Sequence, residues 1–141
     1  MSALTLEQAN QVAAGALAAA RKMGIPPVTV VVLDASGHLK VIQREDGASM
    51  FRFDVAQGKA WGAIGMGAAS RVLADRAKEN PNFFIALAGT ANGKFLPQPG
   101  AVLIRDADGE IIGAAGASGG TGDEDEAICA DGVASAGLST G

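Results

Sequence analysis

Gly113-Ala-Ala-Gly-Ala-Ser-Gly-Gly-Thr-Gly-Asp-Glu-Asp-Glu126 runs from small residues through clustered glycines into four consecutive carboxylates. Glycine permits backbone conformations and close approaches that a Cβ forbids. Acidic residues are favoured in the first turn of a helix, where free N–H groups and the macrodipole favour negative charge. The stretch therefore reads as a strand leaving a sheet, a glycine loop, and a helix running from about Asp123 to Leu138. Such a loop can offer backbone N–H groups to an anion. Residues 116–120 formally satisfy the G-x-S-x-G nucleophile-elbow pattern. A triad would then need His38 as its base, and the chain is far shorter than that hydrolase fold, so this reading is rejected. The Lys-Ser/Thr ending of a P-loop and the long βαβ unit of a Rossmann site are also missing.

Upstream of this stretch the same strand logic recurs. Val28-Thr-Val-Val-Val-Leu33 is rich in β-branched residues and reads as a strand buried on both faces. Asp34-Ala-Ser-Gly37 is turn chemistry, and His38-Leu-Lys-Val-Ile-Gln-Arg44 is the returning strand, with His38, Lys40, Ile42 and Arg44 on one side. Near the C-terminus, Ala101-Val-Leu-Ile-Arg105, Asp106-Ala-Asp-Gly109 and Glu110-Ile-Ile-Gly-Ala114 repeat strand, turn and strand. Before the first hairpin, Thr5-Leu-Glu-Gln8 fits a capping box. Apolar residues at helical spacing follow to Met23, with Gly24 as the C′ residue and Pro26-Pro27 preventing continuation. Between the hairpins, 51–69 reads as a helix, and Ser70 caps another through Lys78. Asn80-Pro81 breaks that helix, and 83–97 reads as a short apolar segment with a glycine-containing loop. Gly58, Gly62, Gly65 and Gly67 would each weaken an isolated helix by about 1 kcal/mol relative to Ala, which points to a close contact within the fold or between subunits. The order predicts one α+β domain over residues 1–141, a three-layer arrangement of a central antiparallel sheet flanked by helices.

Composition narrows the function classes. The chain has 141 residues, 48% apolar and rich in alanine, with 20 glycines, which suits a closely packed core and excludes disorder. Five Phe, Trp61 and no Tyr give no stacking platform for single-stranded nucleic acid, and a net charge of −4 argues against a phosphate-backbone footprint. Cys129 is alone, which excludes an internal disulfide and a multi-cysteine zinc site; it reads as a small apolar residue on the last helix. No stretch has the length and apolarity of a membrane span, and no basic leader precedes an apolar core. A cytoplasmic protein is expected.

The pieces stand in an order that resembles the GlcG/HbpS family, to which the C-terminal domain of PduO-type corrinoid adenosyltransferases also belongs. The matching segments are the N-terminal Leu-x-x-Ala helix, Val31-Val-Leu-Asp-Ala-Ser-Gly-His-Leu39, Arg44-Glu-Asp-Gly-Ala48 and Ala56-Gln-Gly-Lys-Ala60. They continue with Gln98-Pro-Gly-Ala101, Gly109-Glu-Ile-Ile-Gly-Ala114 and Gly116-Ala-Ser-Gly119 with its acidic helix start. One departure is Pro97-Gln-Pro-Gly-Ala101, where the family usually carries a Gly-Gly pair closely followed by proline. The resemblance implies a profilin-like sheet with helices on both faces, assembly into homo-oligomers from dimers to octamers, and binding of haem or a corrinoid in characterised members.

Candidate ligand residues follow from chemistry and the family match together. His38 is the single histidine, so imidazole-ligated haem iron would have to use it; otherwise it is a surface strand histidine. Lys59 and Arg44 are cations suited to haem propionates or a substrate carboxylate, or else solvated charges. Gly116, Ser118 and Gly119 would supply the loop's contribution. Asp123 and Glu126, three apart on a helix, could hold a metal, although capping explains them equally. Two functions stay open: a small-ligand-binding protein holding haem or a related tetrapyrrole, and a small isomerase- or lyase-type enzyme acting on a carboxylated metabolite.

Overall fold

A computed structural model describes residues 3–141. Its elements are α1 (Leu6–Met23), β1 (Thr29–Asp34), β2 (Leu39–Arg44), α2 (Phe51–Met66), α3 (Ser70–Glu79), α4 (Pro81–Thr90), β3 (Ala101–Arg105), β4 (Ile111–Ser118) and α5 (Gly122–Ser135). The four strands form one antiparallel sheet in the order β2-β1-β4-β3. The expected three-layer α+β arrangement is present. Helices α1 and α5 cover one face through Val12, Ala16, Ile128 and Val133, packed against Val30, Val32, Ile104 and Ala117. Helix α2 covers the other, its Ala56, Ala60 and Ala63 against Val31, Leu33, Leu103 and Ala114. Among the described residues no helix is long and apolar enough to cross a membrane.

Local chemistry explains the boundaries. Thr5 and Gln8 form the capping box of α1, and Gly24 closes it in the left-handed conformation. Helix α2 stops at Met66 because Gly67 takes the left-handed cap, not at residue 69 as the periodicity suggests. Residues 83–97, expected to be an apolar segment and loop, begin inside a helix. Pro81 occupies the first turn of α4, where its missing N–H leaves no intrahelical bond unmade. A register shift between Val32 and Leu33 pairs Leu33 with Leu39 and Val31 with Ile42. The bulge at Lys40 therefore breaks the simple alternation expected on β2: Leu39, Ile42 and Arg44 share a side, and His38 lies before the strand.

Two of the four glycines, Gly58 and Gly62, make close contacts within the fold, whereas Gly65 and Gly67 have nothing within 4 Å of a Cβ position. A Cβ on Gly58 would press on Leu96 and the Lys94 carbonyl, and one on Gly62 would lie 2.7 Å from the Phe95 ring. These contacts bring the segment after α4 back against α2. Gly116, on β4, approaches α2 so closely that a Cβ there would strike the Ala56 carbonyl.

Candidate functional site

The first two turns of α2 place Arg52, Val55 and Lys59 along one stripe, because residues three, four and seven apart align on a helix. That stripe faces the end of β4 and the start of α5. Together with Leu96, Pro99, Ser118 and the backbone of 120–122 it encloses an open cleft of about 400 Å³, within the range of small-ligand sites. Arg52 donates from Nη1 to Ser118 Oγ at 3.0 Å and from Nε to Ser49 Oγ at 3.3 Å.

At the cleft floor lies a buried ion pair. Lys59 is 5% exposed and Asp125 1%. The Lys59 ammonium donates to Asp125 Oδ2 at 3.2 Å and to the Ala117 carbonyl at 3.0 Å. The second carboxylate oxygen, Asp125 Oδ1, accepts the Gly120 N–H at 3.0 Å. A buried pair is tolerable only when its remaining bonding capacity is met, and here the two charges join α2, β4, the glycine loop and α5. Gly100 makes room for the lysine: its φ is +135°, and a Cβ there would lie 2.6 Å from Lys59 Nζ. This is the segment in which the sequence departs from the Gly-Gly pattern of the family it resembles, and the remaining glycine stands directly against the lysine.

The loop is built for close approach. Gly119 has φ +149°, and a Cβ would drive into the Pro27 carbonyl. Thr121 caps α5 by accepting the Glu124 N–H, while Glu124 returns to the Thr121 N–H, a reciprocal capping box. The helix therefore begins at Gly122, one residue before the position the acidic run suggests. Asp123 and Glu126 are both engaged by Arg71 of α3, so their carboxylates clasp α3 to α5. Among the described residues no group of three or more His, Cys, Asp or Glu side chains could hold a metal ion. Cys129 is buried beneath the site, and burial, followed by the neighbouring Asp125 charge, pushes its thiol well above the ordinary range.

Charge bookkeeping in the cleft singles out one group. Lys59 is matched by Asp125, and Asp123 by Arg71. Arg52 has no carboxylate partner within salt-bridge distance among the described residues. It is the cleft's uncompensated cation.

Of the residues named from sequence, Lys59 and Ser118 line this cleft, while Gly116 and Gly119 shape the backbone beside it. Arg44 donates to the Ala48 carbonyl and lines a different depression with Arg21, Pro27, Glu45 and Asp46. His38 has a side chain 82% exposed on the β1–β2 turn, 3.9 Å from Asp34, and is not among the cleft residues. Arg52 and Asp125 were not singled out in the sequence. The seven-residue offset of Arg52 from Lys59 is visible there, as is the inward stripe Asp125, Ile128, Cys129, Gly132 and Val133.

Comparison with known proteins gives consistent matches. The family model described as "Haem degrading protein HbpS-like" matches residues 4–134. The corrinoid adenosyltransferase PduO of Salmonella typhimurium is 28% identical over 138 residues, which is 98% of this chain but 40% of that protein's length. A crystal structure of a PduOC:heme complex superimposes with a TM-score of 0.88 at 28% identity, covering 99% of both chains. The crystal structure of HbpS gives a TM-score of 0.81 at 31% identity, covering 95% of this chain and 90% of that one. With the family model spanning nearly the whole chain and the three-layer fold reproduced in both structures, this chain belongs to the HbpS-like family.

Proposed function

We propose that this protein is a small-ligand-binding protein whose cleft between α2, β4 and α5 receives the carboxylate end of haem or a related tetrapyrrole. The observation that carries the reading is the uncompensated guanidinium of Arg52, set on Ser118 at the cleft wall. An arginine fork matches a carboxylate in two parallel hydrogen bonds. Haem is favoured over other carboxylates because the PduOC structure matched over 99% of both chains is a haem complex.

The cleft's chemistry fits the propionate edge of haem and not its iron. Its lining offers hydroxyls, carboxylates and cations, with no His, Cys, Met or Tyr, the usual axial ligands. His38, exposed on its turn, is the imidazole candidate and would reach haem held on another subunit. This requires the homo-oligomer, dimer or larger, that we propose. Light scattering tests the assembly directly, and a monomer at micromolar concentration would contradict it.

The binding test is an absorbance titration with hemin of the parent protein, Arg52→Gln and His38→Ala. The parent develops a shifted Soret band; Arg52→Gln weakens binding by about tenfold, the loss of one charge-assisted hydrogen-bonding partner. Loss of the shift in His38→Ala assigns the axial ligand. A flat parent titration, with a small carboxylic acid raising the melting temperature instead, would favour the small catabolic enzyme.

A further inference from the structure

Thr29 is fully buried, yet its hydroxyl has no hydrogen-bond partner among the described residues. It lies on β1 directly opposite Ser118 of β4. By the two-residue alternation it shares the α2 face with Val31 and Leu33. Side chains directly opposite on adjacent strands have Cβ atoms about 4.5–5.5 Å apart, a separation that two facing hydroxyls can bridge by side-chain rotation. A buried hydroxyl left without a partner is costly, and this one stands beside the serine that Arg52 occupies.

Resting on the reading of the cleft given above, we propose that Thr29 is a positioning residue for the ligand, the stand-in donor to Ser118 when Arg52 leaves it. In the structure Arg52 Nη1 donates to Ser118 Oγ. A ligand carboxylate draws the guanidinium away and takes its N–H groups. Ser118 Oγ then accepts from the Thr29 hydroxyl, while the serine's own O–H donates to the carboxylate. Every donor then has an acceptor, no proton changes owner, and the Thr29 hydroxyl, orphaned while Arg52 holds the serine, is satisfied. The arrangement also lowers the cost of moving Arg52, since Ser118 is not left bare inside the fold.

The test has a ligand-free arm and a hemin arm. Thr29→Val keeps the shape of the side chain and removes the hydroxyl. In the parent it leaves the melting temperature unchanged or raises it, because the lost group had no partner. In an Arg52→Ala background, where Ser118 has already been vacated, Thr29→Val lowers the melting temperature by roughly 3–5 °C, the loss of one buried hydrogen bond. Thr29→Ser restores it. An equal change in both backgrounds overturns the proposal, whether it reflects simple packing or a hidden water on Thr29. In the hemin arm, Thr29→Val weakens binding about fivefold; unchanged affinity alongside normal binding by the parent also overturns it. If no variant binds hemin, the haem reading falls, and the melting temperatures alone decide whether Thr29 takes over Ser118.

Discussion

Lys59 and Asp125 carry the largest electrostatic stake of any two side chains here, because each is buried and each is the other's counter-charge. Replacing Lys59 with Met leaves Asp125 without its cation and should cost about 3–5 kcal/mol, read as a lower midpoint of chemical denaturation. Adding Asp125→Leu to that variant should recover most of the loss; no recovery would show that the lysine serves something other than the pair. Cys129 makes a second residue-scale prediction. Its folded thiol titrates well above the ordinary value of 9.0, chiefly through burial, so the unfolded chain loses that proton first. The thiol's contribution to stability is therefore complete below about pH 9 and declines as pH rises beyond it. Cys129→Ala should flatten that alkaline decline, and a decline of equal slope in the variant would contradict the assignment. In the sequence Lys59 was conspicuous as a cation in a helix of small residues. Asp125 was not, since four adjacent carboxylates look alike until helical phase turns one of them inward.

The elements that were legible owe this to strong local chemistry: the β-branched run of β1, the capping box of α1, and the paired Asp-Ala-x-Gly turns. Those that were misread depend on contacts the chain makes elsewhere. Asn80-Pro81 marks the end of α3 in the sequence and equally the start of α4, because a proline is accommodated in a helix's first turn. The bulge in β2 is set by pairing with β1 and leaves no mark on composition. The loop between β4 and α5 was read from its glycines, and its strictest position is Gly119, with positive φ and a neighbouring backbone where a Cβ would go. Gly119→Val should cost about 2–4 kcal/mol and weaken hemin binding. A variant with parental melting temperature and affinity would show that the loop does not hold the cleft in shape.

At the scale of the whole molecule, two helices on one face of the sheet and one on the other converge on the end of β4, where Ser118 lies buried beneath the first turn of α2. The family and layer order could be inferred from motif order along the chain, as could a site joining the Lys59 helix to the 113–122 loop, but the first hairpin, expected to contribute His38 and Arg44, stands outside the cleft. The cleft depends on Arg52 and Ser118, 66 positions apart, meeting at that end, while His38 and Arg44 project elsewhere. The account's central claim is that a carboxylate-bearing ligand enters between α2, β4 and α5. Hydrogen–deuterium exchange with and without hemin reads that location whatever the oligomeric state. Protection concentrated in residues 50–60 and 116–126 is the predicted result. Protection confined to the β1–β2 turn or to α4, with 50–60 and 116–126 exchanging as in the free protein, would contradict it.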